Sequence, residues 1–126
     1  MTVGPTNVTL REAGLRIFQA ALRAGDVRPL VRGALESLDL SPYRRILVVG
    51  AGKASGAMAQ TLEGVLGDRI STGLVAVTDG YTAPTRKIRL VEAGHPIPDE
   101  RGLRAANEIL ALARSAGSDD LVVVLI

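Results

Sequence analysis

At 126 residues the chain is long enough for one domain, whose folding buries roughly two-thirds of the unfolded surface. Hydrophobic residues make up 47%, mostly Ala, Val, Leu and Ile, while aromatics are only 2%, too few stacking surfaces for sequence-specific binding of RNA or single-stranded DNA. Fifteen basic residues against 13 acidic ones leave +2, and the arginines are spread singly, which describes a solvated surface rather than a nucleic-acid footprint. Without cysteine there are no disulfides and no thiolate zinc, and the single His95 cannot build a histidine cluster, so no protein-borne metal site is expected. The opening stretch MTVGPTNVTLREAG lacks the basic start and apolar run of a secretory leader, and no apolar run reaches the roughly 18 residues of a membrane span. The expectation is a cytoplasmic protein, with no membrane partner and with its oligomeric state left open.

Thr9-Leu10-Arg11-Glu12 fits a capping box, and Leu10, Ala13, Ile17, Ala20 and Ala21 then recur at helical spacing until Gly25, predicting a first helix from about 9 to 24. Asp26 can cap a second helix, with Pro29 tolerable in its first turn and Leu30, Ala34, Leu35 and Leu38 on its apolar face, before Ser41-Pro42 stops it. From Arg45 the pattern changes. Ile46-Leu47-Val48-Val49 is continuously apolar rather than alternating, which suits a strand covered on both faces, as in parallel sheets.

Gly50 to Gly52 ends that strand, and the small residues Ala54, Gly56, Ala57 and Ala59 lead into Leu62, Val65 and Leu66, a helix from about 53 to 66 able to lie close to a sheet. Thr72 to Thr78 is the next strand, Lys87 to Val91 a shorter third, and Leu121 to Ile126 a fourth. Between the last two lies Gly94-His95-Pro96-Ile97-Pro98-Asp99, where two prolines forbid a helix and Asp99 can cap one from about 100 to 115. The alternation predicts a doubly wound α/β domain with a mainly parallel sheet, Rossmann-like in topology and preceded by two helices. Because such folds build their ligand crevice beyond the strand ends, a chain stopping at Leu-Val-Val-Val-Leu-Ile is expected to be an incomplete amino-terminal domain of a two-domain protein.

The segment Gly50-Ala51-Gly52-Lys53-Ala54-Ser55 carries the chemistry. It lies at the carboxyl end of the first strand, where a following helix presents unpaired amides and the positive end of its dipole, so an anion belongs there. Glycines allow close approach of the backbone, and Lys53 adds a full mobile charge. The pattern is not a P-loop, which needs a glycine and a Ser or Thr where Leu47 and Ala54 stand. It half-matches a dinucleotide fingerprint, since Gly50, Gly52 and Gly56 read GxGxxxG and Asp79 follows the second strand, but that aspartate comes later than the usual spacing of about 20 residues. A bland alternative is a tight strand-to-helix turn with a solvated lysine. His95 can act as a general base or pin its own loop, Asp99 can cap a helix or serve as a catalytic carboxylate, and the Ser55 hydroxyl can meet an anion or satisfy nearby backbone.

Taken together, "ILVVGAGKASGAMA", "GLVAVTDGY", "EAGHPIPDERGLRAANEILAL" and "DDLVVVLI" resemble the amino-terminal region of the class II glycerate 2-kinases, some of which carry an older hydroxypyruvate reductase label. The likeness runs from the first helix to the last residue. It implies two α/β domains with the active site between them, and transfer of the γ-phosphoryl group of ATP to the 2-hydroxyl of D-glycerate with magnesium. It also places the family's active-site lysine on Lys53 and its His-Pro-x-Pro-Asp segment on His95, Pro96, Pro98 and Asp99. The family's later serine- and glycine-rich loop and second domain are absent, so the chain by itself is expected to turn over poorly or not at all. Two other functions stay in view: a nicotinamide-dependent hydroxypyruvate reductase, against which the place of Asp79 counts, and a phosphosugar-binding module of the sugar-isomerase type, in which a serine is expected where Ala54 stands.

Overall fold

The computed structural model describes residues 9–126, so much of the opening stretch on which the no-leader expectation rests lies outside them. Helix α1 spans Leu10–Ala24 and opens on the expected capping box: the Glu12 amide donates to Thr9 Oγ1 at 3.2 Å, and the Thr9 amide donates to the Glu12 carboxylate at 2.8 Å. None of its residues is buried. Helix α2, Val27–Glu36, is capped by Asp26, which accepts the Arg28 amide at 3.0 Å. It ends short of the predicted Ser41, because the Ser37 hydroxyl donates back to the Ala34 carbonyl and Asp39 accepts the Ser41 amide, which closes a local turn instead.

The remaining elements are β1 (Arg45–Ala51), α3 (Ser55–Leu66), β2 (Ile70–Thr78), β3 (Ile88–Ala93), α4 (Glu100–Arg114) and β4 (Asp120–Leu125). The four strands form one sheet in the order β3-β2-β1-β4, and every pairing is parallel. Because side chains alternate across a strand, Ile46, Val48, Val75, Val77, Ile88 and Leu125 share the face packed under Leu62 and Ala59 of α3 and Val31 of α2. Leu47, Val49 and Leu74 point the other way, toward α4, whose Ala105 is buried. Helices therefore cover both faces, and none of residues Ile46, Leu47, Val48 and Val49 is more than 4% exposed. The unbroken apolar run is the signature of that double burial.

Other boundaries also differ from the sequence expectation: β3 runs on to Ala93, two residues late, and β4 begins and ends one residue early. Strand β2 begins at Ile70, two residues early, after a single 3-10 turn over Gly67–Arg69. Helix α3 begins at Ser55, because Gly52 sits at φ 137°, a conformation that favours glycine, and residues 53 and 54 complete a turn before the helix starts. Strand β1 continues through Gly50 to Ala51, since Gly50 pairs with Leu125 of β4.

At Gly50 a Cβ would collide with the Leu125 carbonyl, so the glycine is what allows β1 and β4 to approach at their carboxyl ends. Gly50→Ala is expected to destabilise the chain by about 2–3 kcal/mol, read as a lower denaturant midpoint. At the opposite end of the same pair Arg45 forks the buried Asp120 carboxylate at 3.0 and 2.6 Å. Arg45 and Asp120 are register partners, and the guanidinium holds the Asp120 carboxyl well below the usual carboxylate range, helped by the Gly117 amide.

Candidate functional site

Three strand ends converge on one hollow of about 260 Å³, lined by residues 51–53 at the end of β1, 76–78 at the end of β2 and 93–95 at the end of β3. The parallel sheet is the reason: strands that run the same way deliver their carboxyl ends, and the loops that follow, to one rim. Lys53 and His95, far apart in the chain, thus face a common space. Lys53 is exposed and makes no ion pair among the described residues. Behind it, α3 starts on Ala54 without a side-chain cap, so its first-turn amides lack the carboxylate or hydroxyl partner that α1, α2 and α4 have.

The six-residue segment divides its work. Ala51, Gly52 and Lys53 line the hollow; the Gly52 amide is spent on the Ala76 carbonyl at 3.0 Å, which extends the β1–β2 ladder to the rim. Gly50 is packed against Leu125, and Ser55 is fully buried with its hydroxyl donating to the Leu125 carbonyl at 3.2 Å. The Ser55 hydroxyl thus satisfies backbone. Both residues pack against the end of β4, while the hollow is lined from β1, β2 and β3.

Asp79 and Asp99 stand beside the hollow without lining it. Arg101, in the first turn of α4, donates to both Asp79 oxygens at 2.7 and 2.9 Å and to Asp99 Oδ2 at 2.8 Å. The Arg101 fork holds the Asp79 carboxyl below its usual range; for Asp99 the Gly102 amide does so first and Arg101 second. Asp99 caps α4 as expected, its Oδ1 accepting the Gly102 amide at 3.0 Å, while Oδ2 accepts the Gly94 amide at 3.1 Å. Sequence reasoning missed Arg101 and also Thr78, the last residue of β2, which lines the hollow. Only the strand-end position of Thr78 pointed to the rim.

A larger hollow of about 720 Å³ lies along the amino halves of β2 and β3, at Thr72, Arg86 and Arg89 among others. It is at the wrong end of the parallel strands for a crevice, and Arg89 and Lys87 are already paired, with Glu108 and Asp68.

The donor set bears directly on the cofactors that the sequence resemblance implies. Among the described residues no group of three or more His, Asp or Glu side chains could hold a metal ion, and the two aspartates nearest the hollow are committed to Arg101. The hollow is also below the 300–1,000 Å³ usual for larger ligands. The described residues therefore fit neither a magnesium ion nor a nucleotide by themselves.

A four-stranded parallel sheet with helices on both faces defines an α/β domain, and its rim carries a lysine and a histidine on one hollow. The chain belongs to the family described as a domain of unknown function, DUF4147, whose model matches residues 13–126. It is 40% identical over 120 residues to an Agrobacterium vitis protein that carries a hydroxypyruvate reductase name, covering 95% of this chain and 27% of that protein. It is 32% identical over 126 residues to the glycerate 2-kinase of Pyrococcus horikoshii, covering 93% of this chain and 28% of that enzyme. The solved glycerate kinase of Thermotoga maritima superposes with a TM-score of 0.79 at 29% identity, covering 93% of this chain and 28% of that structure. The chain thus spans somewhat more than a quarter of the length of the relatives it matches.

Proposed function

We propose that this chain is the amino-terminal α/β domain of a glycerate 2-kinase and forms one wall of its active-site cleft. The observation that carries the proposal is the meeting of Lys53 and His95 over a hollow of about 260 Å³, beside a helix start without a side-chain cap. The similarity to proteins named glycerate 2-kinase and glycerate kinase supports the same conclusion. In this proposal Lys53 is the catalytic cation. It offsets the charge of the glycerate carboxylate or of the phosphoryl group in transfer, where phosphoryl transfer depends mainly on positioning and electrostatics. Residues 50–55 shape the corner that presents Lys53, and His95 faces the same anion as a hydrogen-bonding or proton-accepting group. ATP and its magnesium are held chiefly by the part of the enzyme that lies outside this chain.

The absence of cysteine suits the cytoplasm as its location, and no helix among the described residues is long and apolar enough to cross a membrane. The name carried by the Agrobacterium vitis relative favours a second proposal, a nicotinamide-dependent hydroxypyruvate reductase. Two features weigh against it: Asp79, the residue that would hold a ribose, is forked by Arg101, and the hollow is small for a dinucleotide.

The test uses the full-length protein that contains this segment, supplied with ATP, magnesium and D-glycerate. The expected product is 2-phosphoglycerate, while the 126-residue chain shows no turnover because transition-state stabilisation needs both walls. Oxidation of reduced nicotinamide by hydroxypyruvate, without phosphoryl transfer, would establish the reductase instead.

A further inference from the structure

We infer that Arg101 is a positioning residue for the hollow: one guanidinium ties the ends of β2 and β3 together and so sets where His95 stands relative to Lys53. The inference rests on the proposed use of that hollow for an anionic substrate, and deepens it.

Arg101 meets three constraints at once. Its two terminal nitrogens fork Asp79 at 2.7 and 2.9 Å, directly after Thr78 at the end of β2. Its Nε donates to Asp99 Oδ2 at 2.8 Å, and the same nitrogen that reaches Asp79 Oδ2 lies 2.7 Å from Asp99 Oδ2. That oxygen also accepts the Gly94 amide at 3.1 Å, so the guanidinium holds the carboxylate that holds the residue before His95. The loop has little slack. A Cβ on Gly94 would stand 2.6 Å from the Ile97 carbonyl and 3.0 Å from Asp99 Oδ2.

An exposed ion pair usually contributes little, and the Arg101 side chain is 44% exposed. A planar fork shared by two carboxylates differs in what it fixes: geometry rather than stability. Without the guanidinium, Asp79 and Asp99 face each other with no cation between them, and Oδ2 of Asp99 turns away from Gly94. Two contacts should survive. Capping of α4 uses Asp99 Oδ1 and the Gly102 amide, which Arg101 does not touch, and the Gly80 amide is tied to β3 separately through Glu92 at 2.7 Å. The loosened part is therefore residues 94 and 95, on the His95 side of the hollow.

The experiment compares the full-length protein that contains this segment with its Arg101→Gln and Arg101→Lys variants by residue-resolved amide hydrogen exchange, thermal unfolding and calorimetric titration with D-glycerate. For Arg101→Gln the expected results are exchange about 10-fold faster at Gly94, with Gly102 and the β1 amides unchanged, and a Kd for D-glycerate raised about 10-fold. Arg101→Lys, which keeps the charge and loses the fork, should fall between. Unchanged protection at Gly94 overturns the inference, and so does a general rise in exchange across β1 with a lowered Tm, which would make Arg101 a stabiliser of the whole domain. If the unaltered full-length protein binds no D-glycerate while Gly94 still responds to the substitution, the positioning role stands and the glycerate proposal falls.

Discussion

Lys53→Ala is expected to lower kcat for glycerate phosphorylation in the full-length protein by about 10²–10³-fold, the loss typical of removing one pre-placed electrostatic contact to developing charge. The fold should not notice. Lys53 is exposed and carries no ion pair among the described residues, so Tm should stay within about 2 °C of the parent value. Lys53→Arg retains the charge but replaces a compact ammonium with a wide planar fork, and should recover only part of the rate. Initial-rate kinetics with varied D-glycerate, beside thermal melts of the same preparations, provide the check. Rates that stay normal in the alanine variant would remove Lys53 from the mechanism.

Glu63→Ala is expected to cost far more stability than the substitution of an ordinary helix-surface glutamate. Glu63 lies in the buried part of α3, 8% exposed, and its carboxylate accepts the amides of Arg86, Lys87 and Ile88 at 2.6, 3.0 and 3.1 Å. It thereby fastens the start of β3 to the helix that crosses from β1 to β2. The Ile88 amide is buried, and leaving such a donor unpaired while emptying the site should cost about 3 kcal/mol, a fall in Tm on the order of 10 °C. Glu63→Gln keeps one acceptor oxygen and should lose roughly half as much.

The pH dependence follows with a definite sign. Burial pushes the Glu63 carboxyl up, but the three amides, with Arg86 nearby, together outweigh it and hold the group below its usual range. A carboxyl depressed on folding adds stability that is fully present above its unfolded value of about 4.3 and disappears as pH falls through the lower folded value. The gap between the parent chain and Glu63→Gln should accordingly be widest near neutrality and narrow below about pH 4. Denaturant titrations at several pH values test this, and a gap independent of pH would mean that the carboxylate charge is not what β3 depends on.

Most of the architecture was readable because its signals are local. The Thr9–Glu12 box, the Asp26 and Asp99 caps and the apolar runs of β1 and β2 each declare themselves within a few residues; the box and the caps stand where expected, and the two runs form strands whose bounds shift by a residue or two. What misled was also local. Lys53 reads as the first helical residue, whereas the positive φ of Gly52 postpones α3 to Ser55. Asp79 reads as a free acid ending a strand, yet the cation that occupies it comes from α4. Glu63 looks like any helix-surface glutamate, since nothing near it in the chain announces that the amides of residues 86–88 will converge on it.

Element type, the parallel double-covered sheet and the candidacy of Lys53 and His95 are consequences of the order of residues, because hydrophobic period, capping chemistry and glycine placement act over a few positions. Which of those residues meet is a different matter. The bond from Ser55 to Leu125, the fork of Arg101 across Asp79 and Asp99, and the lining of the hollow from β1, β2 and β3 depend on contacts between segments far apart in the chain. Such contacts exist only once the sheet has brought the strand ends to one rim, and no periodicity in the sequence encodes them.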